Sequence, residues 1–106
     1  MRIIHNLSKN AREKIINILL EKRSKKELAE ELGISPSAIT KFINGITHPS
    51  DETIRKALEI ADEEEKERIY EVIAEDIIES LEEFINNSGF ENEKIRNIKK
   101  FLVKTS

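Results

Sequence analysis

Leu32–Gly45 reads LGISPSAITKFING, and the reading of this stretch decides the fold. Gly33 and Pro36 would weaken the interior of a helix. Yet Ile34, Ile39 and Phe42 recur at intervals for which a floppy loop has no use. Both patterns are satisfied if a tight turn hands the chain to a short helix. Ser35 is then the cap of that helix and Pro36 its first residue, where a missing N–H costs nothing. Ile39, Phe42 and Ile43 form its apolar side, and Asn44-Gly45 stops it. Upstream, Ser24 followed by Glu27 three residues later is the arrangement of a capping box. Leu28, Ala29 and Leu32 face inward on the helix so opened, and Gly33 ends it in the left-handed conformation.

Working outward, "SKNAREKIINILLEK" places Leu7, Ala11, Ile15, Ile18 and Leu19 on one side at helical spacing, which predicts a helix over about 8–22. "ITHPS" is a loop, and Ser50 caps a fourth helix with Asp51 and Glu52 near its positive dipole end. Ile54, Ala57, Leu58 and Ala61 give that helix a buried side. "MRIIH" at the start is a short apolar run, readable as a strand or an arm. Four short helices with brief linkers make an all-α unit over residues 1–61.

Two helices joined by a Gly-containing turn at this spacing read as helix-turn-helix. Ala29 is small where the helices pack closely, and Leu28, Leu32, Ile34, Ile39 and Phe42 are apolar where their crossing must be held. With the closing "FING" and the helix opened by "PSDETI", the segment from about Ile15 to Ala61 resembles the phage-repressor-like (XRE-type) helix-turn-helix family. The resemblance implies duplex DNA as partner, with the 36–44 helix in the major groove. Carried over residue by residue, the base-facing candidates are Ser37, Ala38, Thr40 and Lys41. Lys25 and Asn44 match positions that hold the DNA backbone. Ser24, Lys26, Ser35 and Thr47 are further phosphate candidates, because hydroxyls and helix N-termini bind anions. One departure matters: Pro36 stands where many relatives place Gln, and residues 33–45 contain no Arg or Gln. Direct base readout is thin, which leaves weight for DNA shape. Two alternatives stay open: the motif as a protein-binding module, and Lys22, Arg23, Lys25 and Lys26 as an ordinary solvated face.

The net charge of −3 conceals segregation. Residues 1–61 hold 11 Lys/Arg against 8 Asp/Glu, residues 62–87 hold 2 against 11, and residues 88–106 hold 5 against 2. The basic N-terminal part suits nucleic acid and the acidic part does not face it. This shift in charge near Ala61–Asp62 sets the expected boundary between residues 1–61 and a C-terminal segment, 62–106. There a helix over about 63–86 carries Tyr70, Ile73, Ile77, Leu81 and Phe84 as a stripe, widened by Ile69, Ile78 and Ile85. Asn87-Ser88-Gly89 breaks it, and a last short helix turns Ile95, Ile98 and Leu102 inward. A single helix-turn-helix unit reaches few base pairs, and such proteins bind as dimers. The expected dimer surface is therefore Ile73, Ile77, Leu81 and Phe84; the competing expectation folds both C-terminal helices back onto their own domain.

The chain has no Cys, which removes disulfides, thiolate metal sites and Cys nucleophiles. His5 and His48 stand alone, without ligand spacing. Glu71, Glu75 and Glu79 lack the Glu-x-x-His partner of a di-iron bundle, and no Gly-rich phosphate loop exists. No catalytic residue, cofactor or metal is expected. Without a leader or long apolar run, the expectation is a soluble cytoplasmic protein away from membranes. Its 18 Ile and 37% charged residues fit a thermophile or an AT-rich genome. Two functions remain: a dimeric transcriptional regulator, or the DNA-binding or adaptor module of a recombination, partition or antitoxin system whose acidic helices grip a partner protein.

Overall fold

Local signals set the helix ends in the computed structural model, which describes residues 1–105, with side chains through Lys100. Six α-helices form: α1 (Lys9–Leu20), α2 (Lys25–Leu32), α3 (Pro36–Ile43), α4 (Asp51–Ile60), α5 (Glu63–Ser88) and α6 (Glu93–Thr105). A 3-10 helix, Arg2–Asn6, precedes them, and the described residues contain no strand. The opening apolar run is thus neither strand nor free arm: Ile4 is 1% exposed and plugs the core beside α4. Ser8, Ser24, Ser35 and Ser50 each accept the N–H three residues ahead through the side chain, capping α1 to α4. Only the Ser half of the expected box at Ser24 and Glu27 forms. The reciprocal box sits at Asp62 and Glu65, where each carboxylate accepts the other residue's N–H.

α1 is the axle. Ile15, Ile16 and Leu19 are all completely enclosed, because α2, α3, α4 and α5 pack around it. Ile16 lies outside the single apolar stripe read from the sequence; a helix wrapped on several sides buries residues off its main face. Leu28, Ala29, Ile39, Phe42, Ile54 and Ala57 complete the core, with Ile43 half-buried at its edge.

The core does not stop at Ala61–Asp62. It continues into the first half of α5 through Ile69 and Ile73, with Val72 and Ile77 packed against it. Ile73 is 5% exposed, so it lies in this chain's own core and not on a surface open to a two-fold mate. Ile77 is half-buried on the same side. Tyr70, read as part of the same stripe, points outward and is half-exposed. Beyond Ile77 the helix leaves the core. Leu81 is half-buried, Phe84 is exposed, and Ile85 and Ile95 are buried away from the main cluster. Ile98 is 39% exposed instead of inward, and Leu102 lies outside the residues whose side chains are described. The radius of gyration, 16.0 Å, exceeds the roughly 13 Å of a compact chain of this size, because α5 and α6 extend past the body.

Candidate nucleic-acid interface

The turn between α2 and α3 closes with a Schellman motif. Gly33, at φ +71°, donates its N–H to the Glu30 carbonyl at 3.2 Å, and Ile34 donates to Ala29 at 2.9 Å. The end of α3 repeats the device. Gly45, at φ +69°, donates to Phe42 at 3.1 Å, and Ile46 donates to Lys41 at 2.9 Å. Both glycines adopt a backbone conformation that side chains with a Cβ resist. These two closures fix the length of α3 at eight residues and aim its outer face. Thr47 also donates to the Lys41 carbonyl, at 3.4 Å, which draws the following loop against the end of α3.

Every expected backbone-contact residue, Ser24, Lys25, Lys26, Ser35, Asn44 and Thr47, is exposed. Of the base-facing candidates, Ser37 and Lys41 are exposed, while Ala38 and Thr40 are half-buried. Ala38 packs partly against the core, leaving part of a methyl group to offer. Three hydroxyls are also engaged within the chain. Ser35 and Ser37 hydrogen-bond each other at 3.0 Å, and Thr40 donates to the Pro36 carbonyl at 3.4 Å. The fully available reader on α3 is therefore Lys41, with Ser37 free to turn its hydroxyl.

Two features of this face escaped the sequence reading. Residues 33–50 contain no Asp or Glu at all, so α3 and its flanking turns carry no charge that would repel phosphate. Ile46, just past α3, is 67% exposed, although an apolar residue at this place in a Schellman motif ordinarily packs back on its helix.

Arg23, grouped by sequence with the solvated cations, belongs to the scaffold. Its guanidinium donates to Glu65 at 2.6 and 3.1 Å, to Glu31 at 3.0 Å, and to the carbonyls of Leu19 and Ile60. Glu65 is 1% exposed, and the hydrogen bond from Arg23 holds its carboxyl below the usual range while raising Arg23. Lys22 pairs with Asp62 at 2.8 Å and is raised by that hydrogen bond. Of the four cations around the first turn, only Lys25 and Lys26 face solvent without an ion pair among the described residues. A second clamp holds the other end of the body. Arg12, 8% exposed, donates to the carbonyls of Ile4, Leu7 and Pro49 and to Asp51 at 2.7 Å. His5 also bonds Asp51, at 2.9 Å, and these two contacts lower the Asp51 pKa, His5 contributing most.

A family model described as helix-turn-helix matches residues 16–65. That range holds α2, the turn, α3 and α4 and ends on Glu65, the buried partner of Arg23. Residues 16–65 therefore form a helix-turn-helix domain of the phage-repressor-like (XRE-type) family, a DNA-binding and not an enzymatic family. No curated protein and no solved structure matches the chain. Among the described residues, no group of three or more His, Asp or Glu could hold a metal ion, and no helix is long and apolar enough to cross a membrane.

Proposed function

We propose that this protein is a dimeric transcriptional regulator that reads duplex DNA by laying α3 in the major groove. The observation that carries the reading is the acid-free outer surface of α3 and its two flanking turns, with Lys41 exposed at its centre. Lys41 reaches a guanine edge or a phosphate, and the Ala38 methyl touches a thymine. Lys25, Lys26, Asn44 and Thr47 hold the sugar-phosphate backbone on either side and set the register. The Ser24 and Ser35 helix N-termini add the positive end of a dipole to the same task. With a single cation on α3, specificity draws on DNA shape as well as base edges.

Selection of bound duplexes from a random pool, with wild type and Lys41→Ala side by side at fixed salt, tests this. Enrichment of an inverted repeat, degraded at one position by Lys41→Ala, is the expected result. Binding that enriches nothing and only weakens as salt rises would refute sequence-specific regulation. It would favour instead the adaptor module whose acidic helices bind a partner protein.

A further inference from the structure

We propose that the C-terminal arm, the outer half of α5 together with α6, pairs two copies of this chain, with acidic α5 of each lying against basic α6 of the other. The inference rests on the reading of the chain as a dimeric DNA-binding protein and names the surface that makes the dimer.

The inner half of α5 is spent on the chain's own core: Ile69 and Ile73 are enclosed against it. The outer half is different. Phe84 and Phe90 are 51% and 50% exposed, their rings 6.2 Å apart in a tilted pair, and Ile98 on α6 is 39% exposed. Phe84 and Phe90 form an apolar patch on the arm, where among the described residues Ile85 and Ile95 are buried. Two half-exposed Phe rings offer on the order of 200 Å², well short of the roughly 800 Å² per partner of a stable interface. The charged surroundings must supply the rest, so their signs decide the occupant.

Those signs are opposite on the two helices. The outer half of α5, residues 78–88, carries Glu79, Glu82 and Glu83 and no Lys or Arg, and α6 carries 5 Lys/Arg against 1 Glu. Within the chain they scarcely neutralise one another. Among the described residues α6 forms one ion pair, Lys99 to Glu91 at 3.8 Å. Glu79 and Glu83 on α5 and Lys94 and Lys100 on α6 are exposed and form none. Across a two-fold axis every residue of one copy meets its counterpart's surroundings twice, so an acidic helix beside a basic one is self-complementary. A second copy therefore satisfies the patch and its rim together. DNA is excluded from α5 by sign, and an acidic partner would be repelled there for the same reason.

The test is sedimentation equilibrium of the full chain at tens of micromolar, with two charge-reversed variants, Glu79→Lys/Glu83→Lys and Lys94→Glu/Lys100→Glu. The wild type is expected to be a dimer at low salt and to dissociate towards 1 M salt, where the Debye length falls to about 3 Å. Each variant alone is expected to self-associate about tenfold more weakly or worse, since each reversal acts twice across the axis. Mixed in equal amounts, the two should form a heterodimer, because at positions 79, 83, 94 and 100 the first carries only Lys and the second only Glu. Circular dichroism of each variant shows that it remains helical. A monomeric wild type, or a dimer indifferent to the reversals, or no association in the mixture, overturns the proposal. Salt-dependent duplex binding measured on the same samples reports on the DNA reading separately: a monomer that still binds duplex refutes the arm alone, and a dimer that ignores duplex refutes the DNA reading alone.

Discussion

Replacing Glu65 by Ala should unfold this protein more readily than almost any other single change on its polar residues. Glu65 is enclosed to 1% exposure, and Arg23 reaches it from the α1–α2 turn with two nitrogens at 2.6 and 3.1 Å. Removing one partner of a buried ion pair costs about 3–5 kcal/mol, because the other charge is left without compensation. Arg23 retains Glu31 and two carbonyls, which sets the expectation at the lower end, about 3 kcal/mol. Loss of the return bond to the Asp62 N–H adds about 1 kcal/mol. Domain stabilities are about 5–15 kcal/mol, so the variant sits near the edge of folding. Urea unfolding followed by circular dichroism gives the number. The pair Arg23→Met/Glu65→Leu should recover part of the loss, since hydrophobic replacement of a buried ion pair is often neutral while the Leu19 and Ile60 carbonyls lose their donor. A Glu65→Ala cost under about 1 kcal/mol, or a double variant no better than the single, would refute the assignment of the pair as the clamp. The pH dependence follows from sign. Arg23 lowers the folded pKa of Glu65 below its unfolded value of about 4.3, so this stabilisation is full above that value. It is lost as pH falls through the lower folded pKa, and the acid-side loss of stability should be smaller in Arg23→Met/Glu65→Leu, which keeps only that of groups such as Asp51.

Arg12→Met leaves the carbonyls of Ile4, Leu7 and Pro49 unpaired and should cost about 2–4 kcal/mol in the same urea assay; a cost below about 1 kcal/mol would mean that these acceptors find water. Gly33→Ala places a Cβ in open space at φ +71°, so its cost is conformational only, about 1 kcal/mol, with helix content unchanged. Lys41→Ala should weaken duplex binding without altering the unfolding midpoint. A base contact appears as about 1–3 kcal/mol at one position of the site, and a phosphate contact as a salt slope shallower by about 1.

The helix-turn-helix was legible in the sequence because its determinants are local. Ser24 and Ser35 cap the helices they precede, Pro36 fits a first turn, and Gly33 and Gly45 end helices in a conformation that favours glycine. Each acts on hydrogen bonds within five residues of itself, so the linear order contains the information. The same locality explains how Ser37 and Lys41 were found on the outer face of α3. It also explains why Ser24–Glu27 misled: the spacing permits a return bond from Glu27, and the structure uses only the Ser half.

What tertiary structure decided concerns groups whose partners lie far along the chain. Arg23 sits among Lys22, Lys25 and Lys26 in the sequence and looks equally solvated, yet it is held by Glu65, 42 residues away. Arg12 looks like one more surface charge on α1 until the Ile4, Pro49 and Asp51 acceptors close around it. The charge break at Ala61–Asp62 marks a change in the solvent-facing residues, while the apolar residues beneath it continue one core as far as Ile77. Hydrophobic periodicity tells which side of α5 is buried, and a 26-residue helix of about 39 Å outruns a body this small. Where along its length the buried stripe passes from the chain's own core to an open surface depends on how far α1 reaches beside it. That is a distance in space, and only the packed chain sets it.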